Sequence, residues 1–163
     1  MHPGSLIDHL SAFDLWANTL FVRRLDREPD DVLDRAVPSS FPTLRRTILH
    51  IRDAEAAWTD RILKQPQRWP AEEGTAIGSL LTHSTRLRDH VARMTPAALE
   101  KVIAYQDLRG NTHQQPVWQM LMHCFNHSTY HRGQLVTMMH ALGMDEVPHS
   151  DLVIFQRSLK KDQ

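Results

Sequence analysis

A helical repeat of apolar side chains recurs in four long segments and is the strongest constraint on the fold. Residues three or four apart share one face of an α-helix, so each segment predicts an amphipathic helix with a single buried stripe. Prolines in the stretches 29–42 and 65–70 interrupt the repeat and predict loops, because proline disfavours helix at the preceding residue. The predicted helices cover residues 5–27, 44–63 (with Thr43 as the cap), 77–94 and 116–142.

The segments 101–105 and 112–117 flank a turn-rich centre, and they predict a small β-hairpin between the third and fourth helices. A short last helix is predicted to start after Ser150 or Asp151. Together these elements predict an all-α, up-down four-helix bundle whose neighbouring helices run near-antiparallel, with a short C-terminal helix. A length of 163 residues suits one domain, 1–163.

Composition excludes several classes of function. The 19 basic and 19 acidic residues cancel, and there is no basic stripe, so we expect no nucleic-acid partner. The single cysteine, Cys124, has no internal disulfide partner. No apolar run reaches the ~18 residues that suggest a membrane span, and no leader pattern precedes the first helix. We therefore expect a cytoplasmic protein with no membrane contact.

The compositional anomaly is the set of 11 histidines, of which His123, His127 and His131 lie four residues apart in the fourth predicted helix. Residues at i and i+4 project from one helical face, so one such pair can hold a metal ion. Three from one helix cannot, because His123 and His131 are separated by about 12 Å along the axis. Zinc–nitrogen bonds are only about 2 Å long. A third ligand must therefore come from elsewhere.

Helical angles select the ligands. His131 falls inside the apolar stripe, His127 at its border and His123 further out, so the inward pair is His127 and His131. His50, at the edge of the second helix's stripe beside Ala54, is the candidate third ligand. Three histidines leave a coordination position open, which suits hydrolysis or thiol transfer, because a bound cation deprotonates water or a thiol. The simpler alternative is that these are hydrogen-bonded core histidines.

Residues other than the three histidines are candidates for supporting roles at the site. Asp53 is a candidate catalytic base or a partner that orients His50, and otherwise a solvated acid. His123 is either a bystander or a neighbour of the ligands. Arg61 continues the His50 face and is a candidate contact for an anionic substrate, although a surface arginine is the simpler interpretation. Arg132 is predicted to point away from the buried stripe.

The chain resembles the DinB/YfiT-like family of metal-binding four-helix bundles over nearly its whole length. The most specific motif is Asn-His, three residues, then His-Arg-Gly-Gln, within residues 126–134; further matching stretches are 15–18, 40–43, 49–55 and 142–143. The resemblance implies that His50, His127 and His131 bind one divalent ion, commonly zinc or nickel. It also implies a homodimer. Many members of the family have a histidine at the position of Tyr130, so this chain departs from them there.

Characterised members of this family include transferases or isomerases that use low-molecular-weight thiols such as bacillithiol or mycothiol, and many members have no assigned reaction. The resemblance therefore implies a metal-dependent thiol S-transferase acting on a small-molecule substrate. Two alternatives stay open. One is a metal-dependent hydrolase in which the ion activates water, and the other is a non-catalytic metal- or small-ligand-binding stress protein.

Overall fold

The computed structural model describes residues 3–159, so residues 1–2 and 160–163 of the predicted domain lie outside the described part. Four long helices form the bundle: α1 (Pro3–Leu25), α3 (Leu44–Leu63), α4 (Ser79–Ala92) and α6 (Val117–Ala141). The shorter elements are α2 (Asp30–Leu33), α5 (Pro96–Glu100), β1 (Val102–Gln106), β2 (Thr112–Pro116) and α7 (Leu152–Ser158). The prediction of an all-α bundle with a small hairpin and a short C-terminal helix is confirmed.

Local signals in the sequence set the helix ends. The Thr43 hydroxyl accepts a hydrogen bond from the Arg46 N–H at 3.1 Å and caps α3 as predicted. Gly143 follows α6 with a φ of 69°, which glycine adopts without a steric penalty. The stretch 29–42, predicted to be loop throughout, instead contains the single helical turn α2, which follows Pro29 and has Asp30 and Asp31 in its first turn.

Two apolar clusters fill opposite ends of the bundle and fix the helix directions. One cluster joins the C-terminal parts of α1 and α6 to the N-terminal parts of α3 and α4, through Phe21, Leu135, Leu44 and Leu80. The other joins the opposite ends of the same helices, through Ile7, Val117, Ile62 and Val91. Helices α1 and α6 therefore run in one direction, and α3 and α4 run in the other.

This order of directions has a topological consequence. Helices α1 and α3 each pack against both α4 and α6. The neighbouring pairs α1/α4 and α3/α6 are antiparallel as expected, whereas α3/α4 and α1/α6 are parallel. Because α4 repeats the direction of α3, residues 64–78 must return along the bundle before α4 begins. We call residues 64–78 the crossover segment.

The hairpin covers one end of the bundle. Strands β1 and β2 pair antiparallel, with Tyr105 opposite His113, and Ile103 is buried against the second apolar cluster. Within residues 3–159, no helix is both long enough and apolar enough to cross a membrane.

Candidate metal centre

Three histidine side chains converge between α3 and α6. His127 and His131 project from α6 one turn apart, and His50 faces them from the antiparallel helix α3. The Nε2 atom of His127 lies 3.1 Å from Nε2 of His50 and 3.1 Å from Nε2 of His131. One ligand atom from each of the three residues falls within 4.8 Å of the others. The structure thus brings together the three residues that the sequence selected.

The donor set fits a divalent metal ion. Two nitrogens bound tetrahedrally to one zinc ion at about 2.0–2.1 Å are roughly 3.3 Å apart, close to the separations found here. The Nδ1–H of His131 is placed to donate to Gln134 Oε1 at 2.8 Å, which leaves its Nε2 as an acceptor facing His127. A single N–H on His127 cannot serve both neighbouring Nε2 atoms well, whereas a cation among them satisfies all three lone pairs. Imidazole ligands suit zinc and nickel.

Burial keeps these imidazoles neutral. Desolvation, followed by the charge of His131, lowers the pKa of His50 to about 4, and the carboxylate of Asp53 offsets part of this effect. Desolvation and then the neighbouring charges of His131 and His50 lower the pKa of His127 to about 3. Desolvation also lowers the pKa of His131. All three are therefore unprotonated near pH 7, the form that binds a metal.

Several residues that the sequence analysis did not assign to the site hold the histidines in place. Gln134, one turn beyond His131, accepts from that imidazole and donates to the Ser40 hydroxyl at 2.7 Å. The Phe41 ring stacks on His50 at a centroid distance of 4.1 Å. The Trp69 ring of the crossover segment meets His50 edge-on at 5.8 Å. The i, i+3 spacing of His131 and Gln134 was the one signal available in the sequence.

Asp53 borders the site but is engaged elsewhere. Its Oδ1 accepts from Arg52 Nε at 2.9 Å and from the Ala71 N–H at 3.0 Å. Arg52 in turn donates to the carbonyl of Gly74 at 2.6 Å. These bonds tie the crossover segment to α3. Asp53 also lines a cleft of about 280 Å³ that includes His50 and Trp69.

The remaining candidates lie outside the cluster. His123 is exposed, and its ring packs edge-on against Trp58 at 5.0 Å and lies 5.9 Å from the His127 ring. Cys124 is buried, and desolvation raises the pKa of its thiol, in agreement with a small apolar packing role. Tyr130 is exposed beside His131.

The prediction that Arg132 points away from the buried face is wrong. Arg132 is only 2% exposed, and its guanidinium donates to Asp14 Oδ1 and to Asn18 Oδ1, each at 2.7 Å. The reason is that α6 packs against α1 as well as α3, so its buried arc covers two directions. Histidine 131 faces α3, and Arg132 faces α1.

Arg132 belongs to a buried polar network that links all four long helices. Glu55 is fully buried and accepts from Asn18 at 2.7 Å, Ser84 at 2.6 Å and Ser128 at 3.1 Å. Burial, then the charge of Asp14, raises the pKa of Glu55 well above its usual range. The Arg132 guanidinium pairs with Asp14, whereas Glu55 has no cation beside it in this network, so burial favours its protonated form. The network fixes α6 against α3 at the level of the histidines.

A four-helix bundle with three histidines converging from two of its helices defines a class of candidate metal-binding bundle proteins. The model of the DinB family matches residues 5–161, so the chain belongs to the DinB family. Protein DinB of Bacillus subtilis (strain 168) is 23% identical over 150 residues, covering 85% of this chain and 87% of that protein. The crystal structure of a DinB-like protein from Bacillus cereus ATCC 10987 has a TM-score of 0.59 at 20% identity, covers 82% of this chain and 89% of its own, and supports the fold.

Proposed function

We propose that this protein is a metal-dependent S-transferase that activates a low-molecular-weight thiol. The observation that carries the proposal is the convergence of His50, His127 and His131 as three neutral nitrogen donors. A divalent ion held there, zinc or nickel by its ligand chemistry, would supply the positive charge that lowers the pKa of a thiol. Within residues 3–159 no fourth histidine, cysteine, aspartate or glutamate joins the cluster, so a coordination position is left for a substrate atom.

Thiol activation fits the surroundings better than hydrolysis does. A hydrolase commonly needs a base beside the reacting water, and Asp53 is the carboxylate nearest in sequence to His50 on α3. Its Oδ1 already accepts two hydrogen bonds that hold the crossover segment, from Arg52 and Ala71. A thiol deprotonated by a cation needs no strong base close by, because its pKa is already near 8.5 in water. The chain's own part is then to bind and orient the thiol.

Metal binding is tested first by elemental analysis. Purified wild-type protein is expected to carry about one divalent ion per chain, and His50→Ala, His127→Ala and His131→Ala to lose most of it. His123→Ala is the matched control, since it removes a histidine from the same face of α6 outside the cluster. Full metal retention by all three ligand variants would remove the proposed site.

Transferase activity is tested on the metal-loaded protein. Bacillithiol, mycothiol, glutathione and coenzyme A are each offered with a chromogenic electrophile, and conjugation is followed by absorbance. At least one thiol is expected to react faster with wild-type protein than with the metal-depleted His131→Ala variant. A protein that holds its ion but accelerates none of these reactions would fit the non-catalytic alternative instead.

Asp53→Asn separates the two enzymatic alternatives. The amide keeps an oxygen to accept from Arg52 and Ala71, but it cannot take a proton. Thiol conjugation is therefore expected to survive this substitution. A hydrolytic activity that disappears in Asp53→Asn would favour the hydrolase.

A further inference from the structure

A second cleft opens beside the metal centre, between the end of α3, the crossover segment and the hairpin. It has a volume of about 590 Å³, and its lining includes Arg61, Lys64, Trp69 and Tyr105. Trp69 also lines the cleft that contains His50, so one indole borders both spaces. On the other side, Trp58 contacts His123, whose ring lies 5.9 Å from that of His127. Trp58 also packs against Tyr105 at 5.4 Å, so aromatic side chains lie between this second cleft and the histidines.

The Arg61 guanidinium lies against two aromatic rings at this cleft. Its Cζ lies 4.5 Å from the centre of the Trp58 ring and 5.3 Å from that of Tyr105. The Tyr105 hydroxyl donates to Gln115 Oε1, and Arg61 Nε donates to Gln67 Oε1 at 2.9 Å, so ring and guanidinium are both oriented. Cation–π contacts of this kind position a guanidinium and leave N–H groups for further hydrogen bonds.

The charge of Arg61 lacks a direct counter-ion. Among the described residues no carboxylate forms an ion pair with it, although burial already lowers its pKa. The carboxylate of Asp107 also lines the cleft and acts on Arg61 from a distance. Asp107 is engaged by the hairpin turn, where it accepts from Asn111 and from the N–H of Arg109. Lys64 adds a second positive charge at the cleft.

The position of Arg61 relates it to the metal centre. It is eleven residues beyond His50 on α3, which places both on the same helical face about 16 Å apart along the axis. Ala54 and Ala57, which lie between them on that face, are buried, so a ligand that reaches both ends would pass Trp69, which borders both clefts. A molecule that reaches both ends must be extended, with a reactive group at one end and an anionic group at the other.

We propose that Arg61, in contact with the Trp58 and Tyr105 rings, binds an oxyanion at the far end of the thiol substrate, so that the site accepts extended anionic thiols. This inference rests on the proposed function for the identity of the reactive end. The oxyanion is a carboxylate or a phosphate, both of which suit a guanidinium edge. Arg61 is a specificity-determining residue and does not touch the reacting atoms.

The test measures binding by isothermal titration calorimetry to metal-loaded wild-type protein, Arg61→Gln and Arg23→Gln. Arg23 is an exposed arginine of α1 and serves as the matched control for loss of one charge. The probes are glutathione (carboxylates), coenzyme A (phosphates), S-methylglutathione (no free thiol) and 2-mercaptoethanol (no anion). Metal content and melting temperature are measured for every variant.

Arg61→Gln is expected to weaken binding of at least one anionic probe by about tenfold or more, as loss of a charged hydrogen bond does, and to leave 2-mercaptoethanol unchanged. Added salt should weaken anionic binding to wild-type protein more than to the variant. Arg61→Lys keeps the charge but loses the planar guanidinium, so its affinity for anionic probes is expected to lie between those of wild-type protein and Arg61→Gln. The relative affinities for glutathione and coenzyme A show whether a carboxylate or a phosphate is preferred.

Three results would overturn the inference: unchanged anionic affinity in Arg61→Gln, an equal loss for 2-mercaptoethanol, or no binding of any anionic probe to wild-type protein. The inference and the proposed function can fail separately. Arg61-dependent binding of S-methylglutathione without any thiol conjugation would support the cleft and count against the transferase. Thiol conjugation that proceeds equally well in wild-type protein and Arg61→Gln would support the transferase and count against the role of Arg61.

Discussion

Substituting Arg132 by methionine tests the buried network that aligns α6 with the rest of the bundle. The guanidinium pairs with Asp14 at 2.7 Å, and the side chains of both residues are only 2% exposed. Methionine fills similar space but leaves the Asp14 carboxylate buried without its counter-charge, and Asn18 and Thr129 each lose a donor. Removing one partner of a buried pair costs about 3–5 kcal/mol, so we expect Arg132→Met to lose that much stability.

The assay is urea unfolding followed by far-ultraviolet circular dichroism, with metal-free protein so that ion binding does not contribute. For a chain of this size, each kcal/mol of lost stability lowers the melting temperature by roughly 2–4 °C. The control is Arg35→Met, because Arg35 pairs with Asp31 at the surface, where both side chains are more than half exposed. Such exposed pairs contribute about 0–1 kcal/mol, so this variant should stay close to wild type.

A double variant, Asp14→Asn with Arg132→Met, separates charge from packing. Once the carboxylate is replaced by a neutral amide, the uncompensated charge is gone, and the double variant should be more stable than Arg132→Met alone. A loss below about 1 kcal/mol in Arg132→Met would refute the reasoning, since a buried pair must cost more than that to break. A double variant no more stable than the single one would show that packing, not charge, sets the loss.

Two further predictions concern Glu55 in the buried polar network and Gln134 beside His131. Glu55 has a raised pKa in the folded state, so folding retains a proton that the unfolded chain releases above about pH 4.5. Wild-type stability should therefore fall relative to Glu55→Gln as pH rises above that value, by at most about 1.4 kcal/mol per pH unit, in urea titrations at several pH values. Parallel pH profiles would contradict a protonated Glu55. Gln134→Ala should weaken metal binding by roughly 10–100-fold in competition with a chromophoric chelator, because the substitution removes the acceptor that orients His131. A metal affinity of Gln134→Ala equal to that of His123→Ala would contradict an orienting role for Gln134.

Features that depend on neighbouring residues along the chain were predictable. The four helices were placed to within two residues of their ends, because apolar period, a threonine cap at Thr43 and a glycine after α6 act locally. The hairpin followed from its turn-forming residues in the same way. His127 and His131 were predicted as an inward pair because i, i+4 spacing fixes their common face whatever surrounds the helix.

Helical angles also selected His50, and the tertiary structure brings its Nε2 to 3.1 Å from that of His127. The three imidazoles meet because the edge of the buried stripe of α3 that carries His50 faces α6. Helical angles measured from a single apolar stripe misplaced Arg132. One stripe describes one buried face, whereas α6 has two buried faces, one against α1 and one against α3. Burial of a charge becomes visible only when its partner, here Asp14 on α1, is known to lie opposite.

The sequence by itself determined the helices and selected the three histidines of the candidate metal centre, since both follow from the 3.6-residue period of a helix. Tertiary structure decided which helices run parallel, and therefore that residues 64–78 return along the bundle and bring Trp69 to His50. It also decided the partners of Arg132, the acceptor for His131 and the contacts of Arg61 with two aromatic rings. These contacts join residues far apart in the chain, and their geometry depends on how whole helices pack.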